Sequence, residues 1–503
     1  MKTLFLLTAI LMLSANIFAR GIEARNAKVE SKNDVPLHDS ADLTVGNWEF
    51  WANANGILAY HYNPKGIFPK GTANLLYMQG ILWGAWLKDA QTGEKIADNP
   101  LRVGGAYYRS GLQLGWRQTW GSPVPPDEFY FIRKDWKQLS EAQLKREAAY
   151  YFDTDSNSVT DQMISKLKNT LANNWKNWPV DFGAPYNDVN GNGVYDPVFD
   201  ADGFPDPTQG DYPGIAGADQ VIWFVANDFD KAKTLNLSGT PPIGLEVQTT
   251  LWTYKGDFTP LSQTVFVQYR LINRSSYLLD SMFVAITGDP DVGDYTDDLA
   301  GCDTLRNLWF AYNGHPVDAE YSKFGLTPPA VGYVLLSGPV DSLAAPLPSG
   351  TPRFLHSFFP FCSGEAFGDP PMGVVDFTYG WYNIMRGYLP TYDLDNPVSW
   401  IIGSGPQQGQ ATRFPLSGDP VNDPAGLYGD VDGAGNNLSA GSRHFAGTLG
   451  PFRMAPDQTT DIVVAVIGGM GSDNRKAIIE LKGISDILNA NRENGLDRLT
   501  YAP

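Results

Sequence analysis

Cysteine, histidine and basic charge are scarce in this chain of 503 residues. With only two cysteines, Cys302 and Cys362, no disulfide framework can carry the fold, so an apolar core has to. Whether the two pair is open, because sequence spacing does not say whether their Cα atoms come within bridging distance. The five histidines, His38, His61, His315, His356 and His444, sit in unlike contexts, and none belongs to an HExxH pair. A GxSxG nucleophile motif, a P-loop and a GxGxxG turn between strand and helix are also missing. The 37 basic residues face 55 acidic ones, a net charge of −18 that argues against nucleic acid as a partner. No run is apolar and long enough to cross a bilayer, so no transmembrane segment is expected in the mature chain.

The N-terminal run is itself short. Lys2 precedes an apolar stretch from Leu4 to Leu13, small residues follow, and Ala19 stands as a cleavage point with Ile17 two residues before it. That pattern predicts a secretory signal peptide over 1–19 and an exported protein, extracellular or on the outer cell surface. Residues 20–42 are polar and without period, and are read as a flexible arm.

Aromatics, glycine and proline are abundant. Aromatic residues make up 13% of the chain, and 52 glycines with 36 prolines point to many turns between many short strands. Over 43–180 the texture is aromatic and glycine-punctuated. In "ILWGAWL", Leu82, Gly84 and Trp86 interleave with Trp83, Ala85 and Leu87, the mark of a strand buried on both faces. "DAQTGEK" reads as the turn after it and "LRVGGAYYRSGLQLGW" as a further strand pair. Two helices are predicted here. One is "SEAQLKREAAYYF", Ser140 to Phe152. The other is capped at Ser158, with Val159, Met163, Leu167, Leu171 and Trp175 forming a core-facing stripe.

From 181 to 475 the pattern becomes a β-sandwich domain with aspartate-rich loops. In "VFVQYRLIN", Val265, Val267, Tyr269 and Leu271 face one way and Phe266, Gln268, Arg270 and Ile272 the other. A long loop-rich insert is expected over about 318–450, then a last buried strand, "TDIVVAVIGG". A C-terminal helix and tail, capped by Ser472 or Asp473, fill 476–503. The expected class is mainly β: a sandwich core with long calcium-type loops, a few helices in the N-terminal half and one at the C-terminus.

Several segments occur in a fixed order: "NLLYMQGILWGAWLKD", "PYNDVNGNGVYDP", "GADQVIWFVANDFD", "PPIGLEVQTTLWTY" and "YRLINRSSYLLDSMFVAITGDPDVGDYTDDLAGCDT". Together with the final helix they resemble a family of exported bacterial proteins of unassigned function, across roughly 45–490. Many members of that family carry fibronectin-like modules and a C-terminal sorting domain for type IX secretion. This sequence departs from the pattern in stopping at Pro503, without the extra sandwich module such a domain needs, so it is read either as a short member or as the front part of a longer protein. The resemblance implies a surface setting but reports no chemistry.

The candidate site residues are oxygen ligands. In "DVNGNGVYD", Asp188, Asn190 and Asn192 alternate, Gly193 follows, and Asp196 comes three residues later. Calcium takes six to eight oxygens from flexible backbone, which suits this spacing. Position twelve of an EF-hand would hold glutamate; here it is Phe199, and Pro197 opposes an exiting helix, so the loop is not a regular EF-hand. A second frame overlaps it: Asp200, Asp202, Gly203, Asp206. A second cluster, Asp289, Asp291, Asp294, Asp297 and Asp298, would repel itself if packed without a cation. A third, Asp430, Asp432 and Asn436, reads as an ordinary turn. The competing explanation for all three is a set of polar turns without metal.

Tryptophans at 48, 51, 83, 86, 116 and 120 admit sugar stacking, though in alternating strands they are more often core. The leading expectation is a non-enzymatic surface or matrix protein, structural or adhesive, stabilised by Ca²⁺. The rival is a glycan-binding or glycan-cleaving protein of the same compartment. Partners would be extracellular glycans or other surface proteins.

Overall fold

The computed structural model describes residues 40–491 except 62, 65, 116–128, 202, 204, 342, 345–353, 363–367 and 437; for 61–65 it describes no side chains. The signal peptide expected over 1–19 lies outside these residues. The arm expected over 20–42 ends at least three residues early, because Ser40–Leu43 is already a strand, paired antiparallel with Glu49–Asn53.

Two antiparallel sheets face each other. The first has eight strands, in the order Ser40–Leu43, Glu49–Asn53, Gly66–Ile67, Asn74–Asp89, Tyr277–Pro290, Arg443–Met454 and Ser357–Cys362, with Leu101–Ala106 also pairing Asn74–Asp89. The second has nine. It runs from Asp298–Asp303 through Leu308–Asn313, Ala330–Ser337, Thr459–Gly469, Thr264–Asn273, Leu245–Thr253 and Gln220–Asn227 to Gln113–Leu114. The ninth strand, Phe129–Arg133, also pairs Gln220–Asn227.

Alternation sets which side chains meet between the sheets. In Thr264–Asn273 the residues Val265, Val267, Tyr269 and Leu271 are at most 1% exposed, whereas Gln268 and Arg270 reach solvent. Gln79 of the first sheet donates to the Tyr269 hydroxyl of the second at 3.0 Å. The approach is closest at glycines. A Cβ on Gly447 would lie 2.6 Å from the Trp309 ring, and one on Gly288 would lie 2.6 Å from Phe445 and 2.9 Å from the Tyr333 hydroxyl. Two large rings fit between the sheets because those two positions carry no side chain.

The first sheet is buried on both faces, as the Leu82–Leu87 pattern predicts. Its inner face presents Ile81, Trp83, Val284, Ile286 and Phe445 to the main core. Its outer face presents Met78, Leu82, Ala285, Phe359 and Phe361 to a second cluster, closed by Trp381, Tyr382 and Met385 of the helix Val375–Met385. The helix Asn474–Asn491 covers the second sheet through Ala477, Ile478, Leu481 and Leu488, and Asp473 caps it by accepting from the N–H groups of Arg475 and Lys476.

Several expectations need correction. The boundary at 180 does not separate the sheets: Asn74–Asp89 pairs with Tyr277–Pro290, and Phe129–Arg133 with Gln220–Asn227. Leu101–Ala106 and Gln113–Leu114 do not pair with each other but join different sheets. Much of the expected loop-rich insert is regular. Ala330–Ser337 lies inside the second sheet, Ser357–Cys362 edges the first, and Val375–Met385 is helical. Thr160, not Ser158, caps the helix Asp161–Lys176, its hydroxyl accepting from Met163 N–H. Along that helix Leu167, Leu171 and Trp175 are buried, while Val159, before the cap, is only partly so. Ser140 caps Glu141–Tyr151 through a reciprocal bond with Gln143. Cys302 and Cys362 are buried thiols, not joined to each other. No helix among the described residues is long and apolar enough to cross a membrane.

Candidate functional site

The 188–196 loop hangs from a short ladder in which Tyr186–Asn187 pairs Tyr212–Pro213. Buried Asp211, next to that ladder, accepts from the N–H of Val189 at 2.8 Å and of Asp196 at 3.1 Å, clamping both ends of the loop. The Tyr195 hydroxyl donates to the Trp175 carbonyl and ties the loop to the preceding helix. Within the loop, Asp188 accepts from the N–H groups of Gly191, Asn192 and Gly193 at 2.6, 3.1 and 2.8 Å. Such a tight turn needs left-handed backbone at Gly191 and Gly193, with φ of 74° and 75°. The Asn190 and Asn192 amides both reach Asp196, at 3.1 and 3.0 Å. The four residues singled out in the sequence therefore converge, all solvent-exposed. The amide oxygens of Asn190 and Asn192 each accept one backbone N–H, which leaves each a second lone pair.

In the overlapping frame, Asp206 turns away from them. Asp206 accepts from Thr208 and Gln209 beyond it, and those bonds, the Thr208 hydroxyl first, hold its carboxyl below the usual carboxylate range. Asp200 is exposed and lies across the Phe199–Pro205 bridge; Asp202 is outside the described residues. Among the described residues, no three His, Cys, Asp or Glu side chains gather as a metal cluster. Any cation in the loop would rest on two carboxylates, two amides and main-chain oxygen.

The second acidic cluster is divided by the fold. Asp289, near the end of the strand Tyr277–Pro290, points to the outer face of the first sheet. Asp294 accepts from Thr296 at the start of a short turn and is exposed. Asp291 is half-buried. Asp298 opens the first strand of the second sheet and is fully buried; its Oδ2 accepts from Val292 N–H at 3.0 Å. Burial pushes the Asp298 carboxyl well above the usual carboxylate range, and Asp291, Asp297 and Asp318 push it further. The third cluster is a folded turn. Asp432 and Arg443 form a buried two-point ion pair at 2.7 and 2.9 Å, and Asp430 accepts from Leu416 N–H.

Sequence reasoning missed a cluster around His444. Its imidazole stands between two carboxylates, with Nε2 at 3.2 Å from Asp289 Oδ1 and Nδ1 at 3.0 Å from Asp369 Oδ2. Tyr108 donates to Asp289 Oδ2 at 2.8 Å and Tyr107 to Asp369 Oδ1 at 3.0 Å. Three of the four carboxylate oxygens are thus hydrogen-bonded, and the fourth, Asp289 Oδ1, faces the imidazole as one half of an ion pair. Burial opposes the imidazolium, but Asp289 and Asp369 outweigh it and lift His444 to about 9. Burial raises both tyrosines far above their ordinary value, and the same carboxylates add to it. One signal was available. His444 precedes core Phe445 on a strand, so it must face the opposite side of the sheet, as Asp289 does after Gly288. That Asp369 and the Tyr107–Tyr108 pair complete the set is tertiary information.

Trp48, Trp51 and Trp83 are buried, and Trp86 is capped by Lys95 Nζ at 3.4 Å from its ring centroid, so these four form no open platform. Trp116 and Trp120 lie outside the described residues. An open cleft of about 490 Å³ lies between Tyr312, His315, Arg475 and the 431–440 turn. No protein-family description matches this chain, and no curated protein is significantly similar to it.

Proposed function

We propose that this chain is an exported, non-enzymatic surface or matrix protein whose broad two-sheet sandwich is stiffened by bound calcium and serves a structural or adhesive role. The observation that carries the calcium reading is the convergence of Asp188, Asn190, Asn192 and Asp196 on one loop clamped by Asp211. Calcium there would bind the folded chain alone and stabilise it by RT ln(1 + [Ca²⁺]/Kd), about 2.7 kcal/mol at a hundredfold excess over Kd. For a chain this large that is a melting shift of a few degrees. Chelation should lower the melting temperature and expose the 188–206 segment to protease. Asp188→Ala with Asp196→Ala should remove that loop's share of the response, and a double variant that answers chelator and protease as the parent does sinks the reading. Export predicts a mature N-terminus near Arg20, read by N-terminal sequencing of protein recovered outside the cell.

A second reading, a glycan-binding or glycan-cleaving protein, draws on the paired carboxylates Asp289 and Asp369 around His444. Against it, the imidazolium and two tyrosines already occupy both carboxylates, which suits a brace better than an acid and a base awaiting substrate. Polysaccharide turnover abolished by Asp369→Asn in a folded variant would favour this second reading.

A further inference from the structure

The divided acidic cluster leaves an unusual set of polar atoms. Asp298 and Asn313 are directly opposed across two neighbouring antiparallel strands, so their side chains share one face, and both are 0% exposed. The Asn313 amide nitrogen donates to Asp297 Oδ2 at 3.3 Å and to the His315 carbonyl at 2.8 Å, drawing Asp297 to the same place. Three oxygens remain, Asp297 Oδ1, Asp298 Oδ1 and Asn313 Oδ1, each shut off from solvent and with no hydrogen-bond donor among the described residues. The carboxylates of Asp291, Asp297 and Asp318 all act on Asp298, while the one guanidinium that feels it, Arg443, is already bound at two points by Asp432. The His315 side chain, with Nε2 3.8 Å from the other oxygen of Asp297, is 73% exposed. Buried acceptors are nearly always satisfied, so three together without a donor call for a species that the described residues do not supply.

A proton or a cation could fill that role. One proton on Asp298 can bridge to a single acceptor and leaves the third oxygen unserved. A divalent cation takes several oxygens at once and offsets the like charges that a proton would only reduce by one. We infer that Asp297, Asp298 and Asn313 hold a buried divalent cation, calcium by its preference for oxygen, pinning the strand Asp298–Asp303 to Leu308–Asn313 at the edge of the second sheet. Main-chain carbonyls and water would complete the shell of six to eight oxygens. Asp289 and Asp294 are not ligands, so the acidic run is one site of two carboxylates and a cross-strand amide rather than five carboxylates. The inference rests on the calcium-stabilised reading for the identity of the ion, and is independent of the 188–196 loop.

The test uses the full chain stripped with chelator, then titrated separately with calcium, magnesium and manganese and followed by calorimetry and melting temperature. The background is Asp188→Ala with Asp196→Ala, which removes the exposed loop. The expected result is that this background still binds one divalent ion per chain and loses a few degrees of melting temperature on chelation. Adding Asp298→Asn should abolish both responses. Asn313→Asp serves if Asp298→Asn does not fold. Beside a cation the added carboxylate should raise affinity and enlarge the chelator shift; without one it lowers the melting temperature equally with and without calcium, and the inference falls. It also falls if the background binds no divalent ion, or if Asp298→Asn melts at or above the parent with no change in ion response, the mark of a protonated acid. In those cases a calcium response of the parent that Asp188→Ala and Asp196→Ala remove leaves the exposed-loop reading intact. Conversely, a response lost only with Asp298→Asn upholds this site and overturns the loop.

Discussion

His444 gives the folded chain a pH signature. Its side chain is 17% exposed and held between Asp289, at 8%, and Asp369, at 28%. The folded value of about 9 lies above the ordinary 6.5, so the folded chain binds the proton more tightly than the unfolded one. The resulting stability is fully present below pH 6.5, declines as pH rises through the interval, and is gone above about 9. The difference corresponds to about 3 kcal/mol, at up to roughly 1.4 kcal/mol per pH unit. Glutamine keeps a comparable size and hydrogen bonding but has no proton to lose there. Urea unfolding of the parent and of His444→Gln should be measured at intervals from about pH 6 to 9.5. The parent's advantage should be largest at the acid end and shrink by about 3 kcal/mol across the range. Titrating groups away from His444 are common to both proteins and cancel in the difference. Parallel stability curves would refute the account, because they would mean that His444 releases its proton at the same pH in both states.

Three further outcomes follow from packing. Arg443→Leu strands the buried Asp432 carboxylate and should cost about 3–5 kcal/mol, much of it recovered when Asp432→Leu is added; equilibrium unfolding of single and double variants checks this. Gly447→Ala places a Cβ 2.6 Å from the Trp309 ring and should cost about 1–3 kcal/mol with a change in near-ultraviolet circular dichroism, whereas a neutral variant would show that the sheets can move apart freely there. Cys302 and Cys362 should resist a thiol reagent in the native protein and titrate as two thiols per chain on denaturation; one or none would indicate a bond between them.

Much of the secondary structure is legible in the chain. The apolar content of Leu82–Leu87 on both faces, the alternation of Val265–Ile272 and the capped start of Asn474–Asn491 are local patterns, and each matches its element. Errors arise where regular segments lack a local signal. Ala330–Ser337 is apolar but flanked by proline-rich loops, and only pairing with Leu308–Asn313 and Thr459–Gly469 marks it as a central strand. The 180 boundary fails for the same reason: a change of texture along the chain says nothing about hydrogen bonds made some two hundred residues away.

The site residues divide in the same way. Asp188, Asn190, Asn192 and Asp196 meet because a turn of nine residues brings them together, so their spacing in sequence suffices to nominate them. Asp289 and Asp298 look alike in the sequence, yet a strand's pleat and a following turn send one to His444 on the outer face of the first sheet and the other into the second sheet beside Asn313. Composition and periodicity alone determined a mainly β chain with a large core, since burying apolar faces at a period of two leaves few other solutions. Tertiary structure alone decided which carboxylate found an imidazolium and which was left with unserved oxygen atoms, because charge partners are chosen by distance in space, and sheet pairing sets that distance without reference to separation along the chain.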